Sequence, residues 1–357
     1  MLICLSPYVV NSTFVLASAV AIALFHLTNY MSIVLAENLS KVYPVAVKEP
    51  GLKGTISHFF SRTYRNIEAV KQVSFEIQSG EVVGFLGANG AGKTTTLKML
   101  TGLIHPSAGR VRVAGDIPFQ RKPAFLQQIT LVMGQKQQLL WDLPALDSLK
   151  INAAIYELSN QDYRRRVGEL TEMLSLQDKL NQPVRKLSLG ERMKAELLAA
   201  LLHQPKVLFL DEPTLGLDVN AQVGVREFLR EYNQRYGATI LLTSHYMADI
   251  TALCERVMVI HQGQLVYDGS LARLVDNFAP YREVRVELAH PLAENELLPY
   301  GEIKSVEGQS VRFCIKREAL TRTVAKILAE LEVLDLSVTD PPVEEVIGRV
   351  FMAGAVA

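Results

Sequence analysis

Residues Glu81–Leu100 read EVVGFLGANGAGKTTTLKML, and the segment GANGAGKT, Gly87 to Thr94, decides the fold. An apolar run rich in β-branched and aromatic residues precedes it, the composition of a buried strand, and a helical pattern follows it. The eight residues fit GxxxxGK[ST] in the setting that gives the pattern meaning, between a strand and a helix. Gly87, Gly90 and Gly92 let backbone amides turn toward phosphate oxygens with no Cβ in the way. The helix that begins near Gly92 adds the positive end of its dipole. Lys93 is therefore expected to reach the β- and γ-phosphates of a nucleotide, and the Thr94 hydroxyl to bind Mg²⁺. Ala88, Asn89, Ala91 and Thr95 complete the expected nucleotide-binding set. The alternative, a Gly-rich turn bearing an exposed lysine, leaves the flanking strand and helix without a purpose.

Outward from this loop, short apolar runs alternate with helical patterns from Ser32 to about Ala279. EVVGFLG, ITLVM, KVLFLD, ATILLTS and RVMVI are buried-strand candidates, and helical stretches separate most of them. That alternation predicts an α/β fold with a mostly parallel core sheet. VLFLDEP, Val207 to Pro213, buries four apolar residues and brings Asp211 to the carboxyl end of its strand, where open α/β sheets bind ligands. Asp211 is placed for the Mg²⁺ shell, and Glu212 is a candidate base for an attacking water. An apolar strand ending in Asp-Glu is, alone, equally compatible with a solvated acidic turn. LSLGE, Leu187 to Glu191, carries Ser188 three residues before Glu191, which is the spacing of a capping box.

Taken in order, these elements resemble the ABC ATPase family, whose signature LSGGQ stands just ahead of the acidic strand. Here Leu189 replaces the first glycine and Glu191 the glutamine, while Ser188 and Gly190 are kept. The resemblance implies that the signature, Ser188, Leu189, Gly190 and Glu191, acts in trans on the nucleotide of a second subunit. It also implies that Gln135, in LVMGQK, links Mg²⁺ to a membrane partner and is a catalytic and metal-site residue. LGLD, Leu215 to Asp218, matches the family's D-loop, with Asp218 facing the opposing subunit. SHYM places His245 at the family's switch histidine beside the γ-phosphate. The adenine-stacking aromatic falls on Tyr64, with Tyr43 as the competing choice. The resemblance covers about residues 32–280. GQKQQLLWDLPALDS, KLSLGERMKAELLAALLHQPKVLFLDEPTLGLD and LLTSHYMADI narrow it to ATP-binding subunits of ABC-2-type exporters, the group that includes drug and antibiotic efflux systems.

The expected organisation is an apolar extension over residues 1–30, an ATPase domain over 31–280 and a small α+β accessory domain over 281–357. The ATPase domain comprises the parallel core, an N-terminal antiparallel β subdomain and a helical insertion over about 136–204. No Asp, Glu, Lys or Arg precedes Glu37, and this uncharged run, with the strongly apolar Thr13–Leu27 inside it, is long enough for a membrane span. Three readings of the first 30 residues stand: a start at Met31, a membrane anchor, or a cleaved targeting segment. VAVKEPGLKGTISHFFSRTYRN, Val45 to Asn66, carries Lys48, Lys53, Arg62 and Arg65 around Phe59-Phe60. It reads either as a short amphipathic segment touching headgroups or the permease, or as a solvated loop.

Of 357 residues, 37 are Lys or Arg and 37 are Asp or Glu, so the chain lacks the net positive charge of a nucleic-acid binder. Cys4, Cys254 and Cys314 are too far apart in sequence for a CxxC site, which points to reduced thiols. The family resemblance implies ATP and Mg²⁺ as cofactors, and a second ATPase subunit and separate ABC-2-type permease subunits as partners. It implies a place on the cytoplasmic face of the membrane. The expected permease groove lies near Gln135–Ala145, with Trp141 and Leu143 either as its apolar contacts or as core of the insertion. A non-transport ABC ATPase of translation or DNA maintenance is the rival reading. Such proteins usually carry two ATPase domains or a long coiled coil, and the sequence displays neither.

Overall fold

The computed structural model describes residues 32–47, 63–134 and 137–354. The apolar extension, the basic segment around Phe59-Phe60 and Gln135 lie outside the described residues. The chain divides into two compact units, Met1–Asp268 and Gly269–Ala357.

The first unit opens with β1 (Ser32–Val47) and β2 (Thr63–Gln78). It continues through β3 (Val82–Leu86), α1 (Lys93–Leu100), β4 (Ala108–Val113) and β5 (Ile129–Met133). The insertion contributes α2 (Ala145–Ile155), α3 (Asn160–Leu174) and α4 (Leu189–Leu201). Then come β6 (Val207–Asp211), α5 (Val219–Tyr236), β7 (Thr239–Thr243), α6 (Met247–Leu253), β8 (Arg256–His261) and β9 (Gln264–Ser270). The main sheet has the order β5-β6-β7-β3-β8-β9. Parallel pairing joins β5 to β6, β6 to β7, β7 to β3 and β3 to β8. These strands read as apolar runs because they are covered on both faces; all five residues of β7 are buried.

A second, antiparallel sheet has the order β2-β1-β4. One core joins Val34, Leu39, Val73 and Ile77 of this sheet to Leu97 and Met99 of α1 and to Phe85, Phe209 and Leu241 of the main sheet. The helix behind the phosphate loop is thus held by both sheets. Val45–Val47 and Thr63–Asn66, expected within a continuous link, are strand: Val45 pairs with Arg65 and Val47 with Thr63. The described ends of the link between the two aromatics are paired antiparallel strand, and β1 and β2 each run 16 residues.

In the second unit, α7 (Leu271–Phe278) leads into β10 (Tyr281–Leu288), β11 (Glu302–Glu307), β12 (Ser310–Lys316), α8 (Leu320–Glu330), β13 (Val333–Thr339) and α9 (Val343–Gly354). The strands form an antiparallel sheet of order β11-β12-β10-β13. Its core gathers Val284, Val286, Phe313 and Ile327. The unit begins ahead of the 280/281 boundary expected from the sequence, because α7 packs on α9.

Candidate functional site

The carboxyl ends of β3, β5, β6 and β7 meet at one edge of the main sheet. Gly87 follows β3 where an added Cβ would stand 2.5 Å from the Ile260 carbonyl oxygen. Gly92 adopts φ 112° and faces the Ala69 carbonyl oxygen at the same 2.5 Å, so only glycine fits at either end of the loop. α1 starts at Lys93 with Gly92 as a cap that offers no side chain, leaving the first amides of the helix to an outside acceptor. Lys93 is buried, and its Nζ donates to the carbonyl oxygens of Gly87 at 2.6 Å and Ala88 at 3.2 Å. Burial pushes its ammonium below the usual lysine range, and the nearby Glu212 and Asp211 act in the opposite direction.

Thr94 Oγ1 donates to Asp211 Oδ2 at 2.9 Å, which joins the phosphate loop to the end of β6. The other Asp211 oxygen accepts from Thr243 Oγ1 at 2.7 Å. Thr243 stands opposite Asp211 in the β6–β7 register, and the Glu212 amide donates to its carbonyl oxygen at 3.1 Å and to its hydroxyl at 3.2 Å. Glu212 takes φ 56°, a left-handed conformation that is costly for a residue with a side chain. That turn brings Glu212 Oε1 to 2.7 Å from His245 Nε2. Thr94, the adjacent Asp211 and Glu212, and His245, drawn from three distant parts of the sequence, are thus one connected group.

Gly134 follows β5 beside this group. Its amide donates to the Asp211 carbonyl oxygen at 3.0 Å, and an added Cβ would stand 2.3 Å from the Glu212 carbonyl oxygen. A second network lies behind His245. Buried Asp249 accepts from Thr214 Oγ1 at 2.5 Å, Ser244 Oγ at 2.6 Å and Arg226 Nη1 at 2.9 Å. It ties the segments after β6 and β7 to α5. Thr243, Gly134 and Asp249 went unnoticed in the sequence. The available signals were a hydroxyl at the end of a strand with an apolar middle, a glycine ahead of Gln135, and an acid four residues after the histidine.

The LSLGE segment does form a capping box: Ser188 Oγ accepts the Glu191 amide at 3.2 Å, and Glu191 Oε2 accepts the Ser188 amide at 2.9 Å. Gly190 stands where an added Cβ would come 2.7 Å from Ala221 Cβ, so the starts of α4 and α5 are in contact. Asp218 caps α5, its Oδ1 accepting the Ala221 amide at 2.9 Å. Leu189, Val219 and Val223, at the starts of these two helices, are 43, 72 and 38% exposed.

Tyr64 stands opposite Ala46, whereas Tyr43 stands opposite Ile67, nearer the Ala69 carbonyl that touches the loop. The difference is three residues of strand, about 10 Å. The strand pairing thus brings Tyr43, rather than Tyr64, closer to the phosphate loop. Trp141 and Leu143 are 44 and 42% exposed, so Trp141 is not core of the insertion; Arg192 lies over its ring at 5.2 Å. Close by in sequence, Gln137, Met133, Leu126 and Ile155 line a cleft of about 620 Å³.

A buried lysine within a glycine loop, and a strand-end acid bonded to that loop's threonine, define a P-loop nucleotide-hydrolysing domain. The ABC transporter family model matches residues 70–215, and the model of the EvrA-like ABC transporter C-terminal domain matches residues 280–339. The ABC transporter ATP-binding protein NatA of Bacillus subtilis (strain 168) is 35% identical over 221 residues, covering 62% of this chain and 89% of that protein. Nod factor export ATP-binding protein I of Burkholderia orbicola (strain AU 1054) is 35% identical over 268 residues, covering 72% and 87%. Among solved structures, an ATP-binding subunit of an ABC transporter superposes with a TM-score of 0.58 at 27% identity, covering 69% of this chain and 93% of the other. The cbiO1 subunit of the Clostridium perfringens cbiONQ transporter complex gives 0.55 at 25%, covering 67% and 89%. The chain belongs to the ABC transporter family as an ATP-binding, ATP-hydrolysing subunit.

Proposed function

We propose that this chain powers an ABC-2-type exporter by closing, with a second ATPase subunit, around two ATP molecules. The 2.7 Å contact between Glu212 and His245, beside the Asp211–Thr94 bond, carries the hydrolytic part of the reading. The phosphate loop receives the nucleotide, and Lys93 exchanges its bonds to Gly87 and Ala88 for phosphate oxygens. Thr94 and Asp211 offer the hard oxygen ligands that Mg²⁺ takes, and the ion would neutralise phosphate charge there. Gln135 follows the fixed Gly134 and is the third residue assigned to that metal site. Glu212 polarises the attacking water, and His245 holds Glu212 in place and faces the γ-phosphate. Tyr43 takes the adenine in place of Tyr64.

Each composite site takes its second half from Ser188 and Gly190 of the other subunit, with Asp218 at the seam. The exposed Leu189, Val219 and Val223 around that helix start supply the apolar surface that such a pairing covers. The cleft beside Met133 and Ile155, with the exposed Trp141 and Leu143 a few residues beyond its Gln138 in the chain, is the seat for a cytoplasmic helix of the permease. Among the described residues no helix is long and apolar enough to cross a membrane. The place assigned to the chain is the cytoplasmic face, held there by the permease. The exporter assignment draws on the relatives, one of which is named for Nod factor export.

Glu212→Gln tests the assigned base. Steady-state turnover is expected to fall at least about a hundredfold while ATP binding persists; turnover near the parent rate would remove Glu212 from that role.

A further inference from the structure

Lys179 stands in the segment between α3 and α4, outside every motif that carries the family resemblance. Its Nζ lies 2.8 Å from Glu191 Oε1. The other Glu191 oxygen accepts the Ser188 amide at 2.9 Å, so both carboxylate oxygens are engaged within the chain. Leu176 and Leu180 on either side of Lys179 are buried, and the Leu146 amide donates to the Leu180 carbonyl oxygen at 3.0 Å, which fixes the segment against α2. Of the arginines that flank the signature, Arg185 lies 3.3 Å from Asp142 and Arg192 lies over Trp141.

A carboxylate in the first turn of a helix favours the helix, but it occupies the place where the helix start attracts an outside anion. With glutamine at this position the start of α4 would present a hydroxyl, free amides and a neutral side chain. Glu191 instead sets a negative charge beside the incoming γ-phosphate, and two anions at one helix start repel. The hydrogen bond from Lys179, the largest of the influences on Glu191, draws its carboxyl below the usual range, and the ammonium sets a cation beside the carboxylate.

We propose that Lys179 is a positioning residue of the nucleotide site formed in trans: it cancels the charge of Glu191 and so lets the Ser188 helix start accept the terminal phosphate held by the other subunit. The inference rests on the reading that the signature closes over that subunit's nucleotide. A purely structural staple between the segment and α4 would also use this ion pair, but the two roles diverge when Glu191 loses its charge. Removing the carboxylate makes Lys179 dispensable if its task is neutralisation; it leaves the staple broken if its task is structural.

The test uses the full chain with Glu212→Gln, titrated with ATP and Mg²⁺, and sedimentation velocity reads the fraction of dimer. Adding Lys179→Met is expected to raise the ATP concentration at half-closure about tenfold or more, and Lys179→Arg to change it less than about threefold. Adding Glu191→Gln to the Lys179→Met chain is expected to bring half-closure back within about threefold of the Glu212→Gln parent. Equal half-closure with and without Lys179, or no recovery with Glu191→Gln, overturns the proposal. If the Glu212→Gln parent itself stays monomeric at saturating ATP, the trans-site reading falls first and the proposal falls with it.

Discussion

Asp211 spends one carboxylate oxygen on Thr94 and the other on Thr243, so the end of β6 is bonded both to the phosphate loop and to β7. This explains how Glu212 can hold φ 56°: its amide is fixed by Thr243 and its carboxylate by His245, and surrounding bonds offset the backbone strain. The contiguous motif residues were legible because each motif is a string whose backbone shape follows from its own glycines and strand ends. Thr243 was not legible, because its partner is set by the β6–β7 register rather than by sequence distance. The family resemblance puts the adenine aromatic on Tyr64, whereas strand pairing puts Tyr43 nearer the loop. The adenine platform can be checked at this scale by nucleotide titration calorimetry. Tyr43→Ala is expected to weaken ATP binding about tenfold, as loss of one base–aromatic stack does, and Tyr64→Ala less than about twofold. The reverse ranking would return the role to Tyr64.

At the scale of elements, the starts of α1, α4 and α5 do different work with similar geometry. α1 has an uncapped glycine start and free amides, α4 a capping box, and α5 the Asp218 side chain. The capping box was readable from the Ser188–Glu191 spacing; the Lys179 partner was not, because the segment between α3 and α4 has no periodicity to place it. The full pairing of β1 with β2 was hidden for a related reason. Val45–Val47 and Thr63–Asn66 border a stretch rich in Lys, Gly and Ser, whose composition reads as a link rather than a strand. Asp249 joins α5, α6 and the segments after β6 and β7. Asp249→Ala would leave Arg226 and two hydroxyls without their acceptor in a buried place, and breaking a buried pair of this kind costs about 3–5 kcal/mol. Chemical denaturation is expected to show that loss together with reduced ATP turnover. A change under about 1 kcal/mol would show that the network is dispensable.

For the whole molecule, the alternation of strands and helices made the parallel core legible before any contact was known, since strands buried on both faces must be apolar throughout. The antiparallel second unit was legible from its short alternating strands, and its opening was not. α7 carries no break from β9, and it packs on α9 within the second unit. On the proposed function the first unit presents one half of a hydrolytic site and one signature, and those halves meet across two chains. Two chains can be prepared in the Glu212→Gln background, one carrying Asn89→Cys and the other, of different mass, carrying Leu189→Cys. They would be mixed with and without ATP and Mg²⁺ and exposed to a short thiol cross-linker. A covalent heterodimer that forms only with nucleotide is the predicted result; monomers alone, or the same yield without nucleotide, would contradict the trans site.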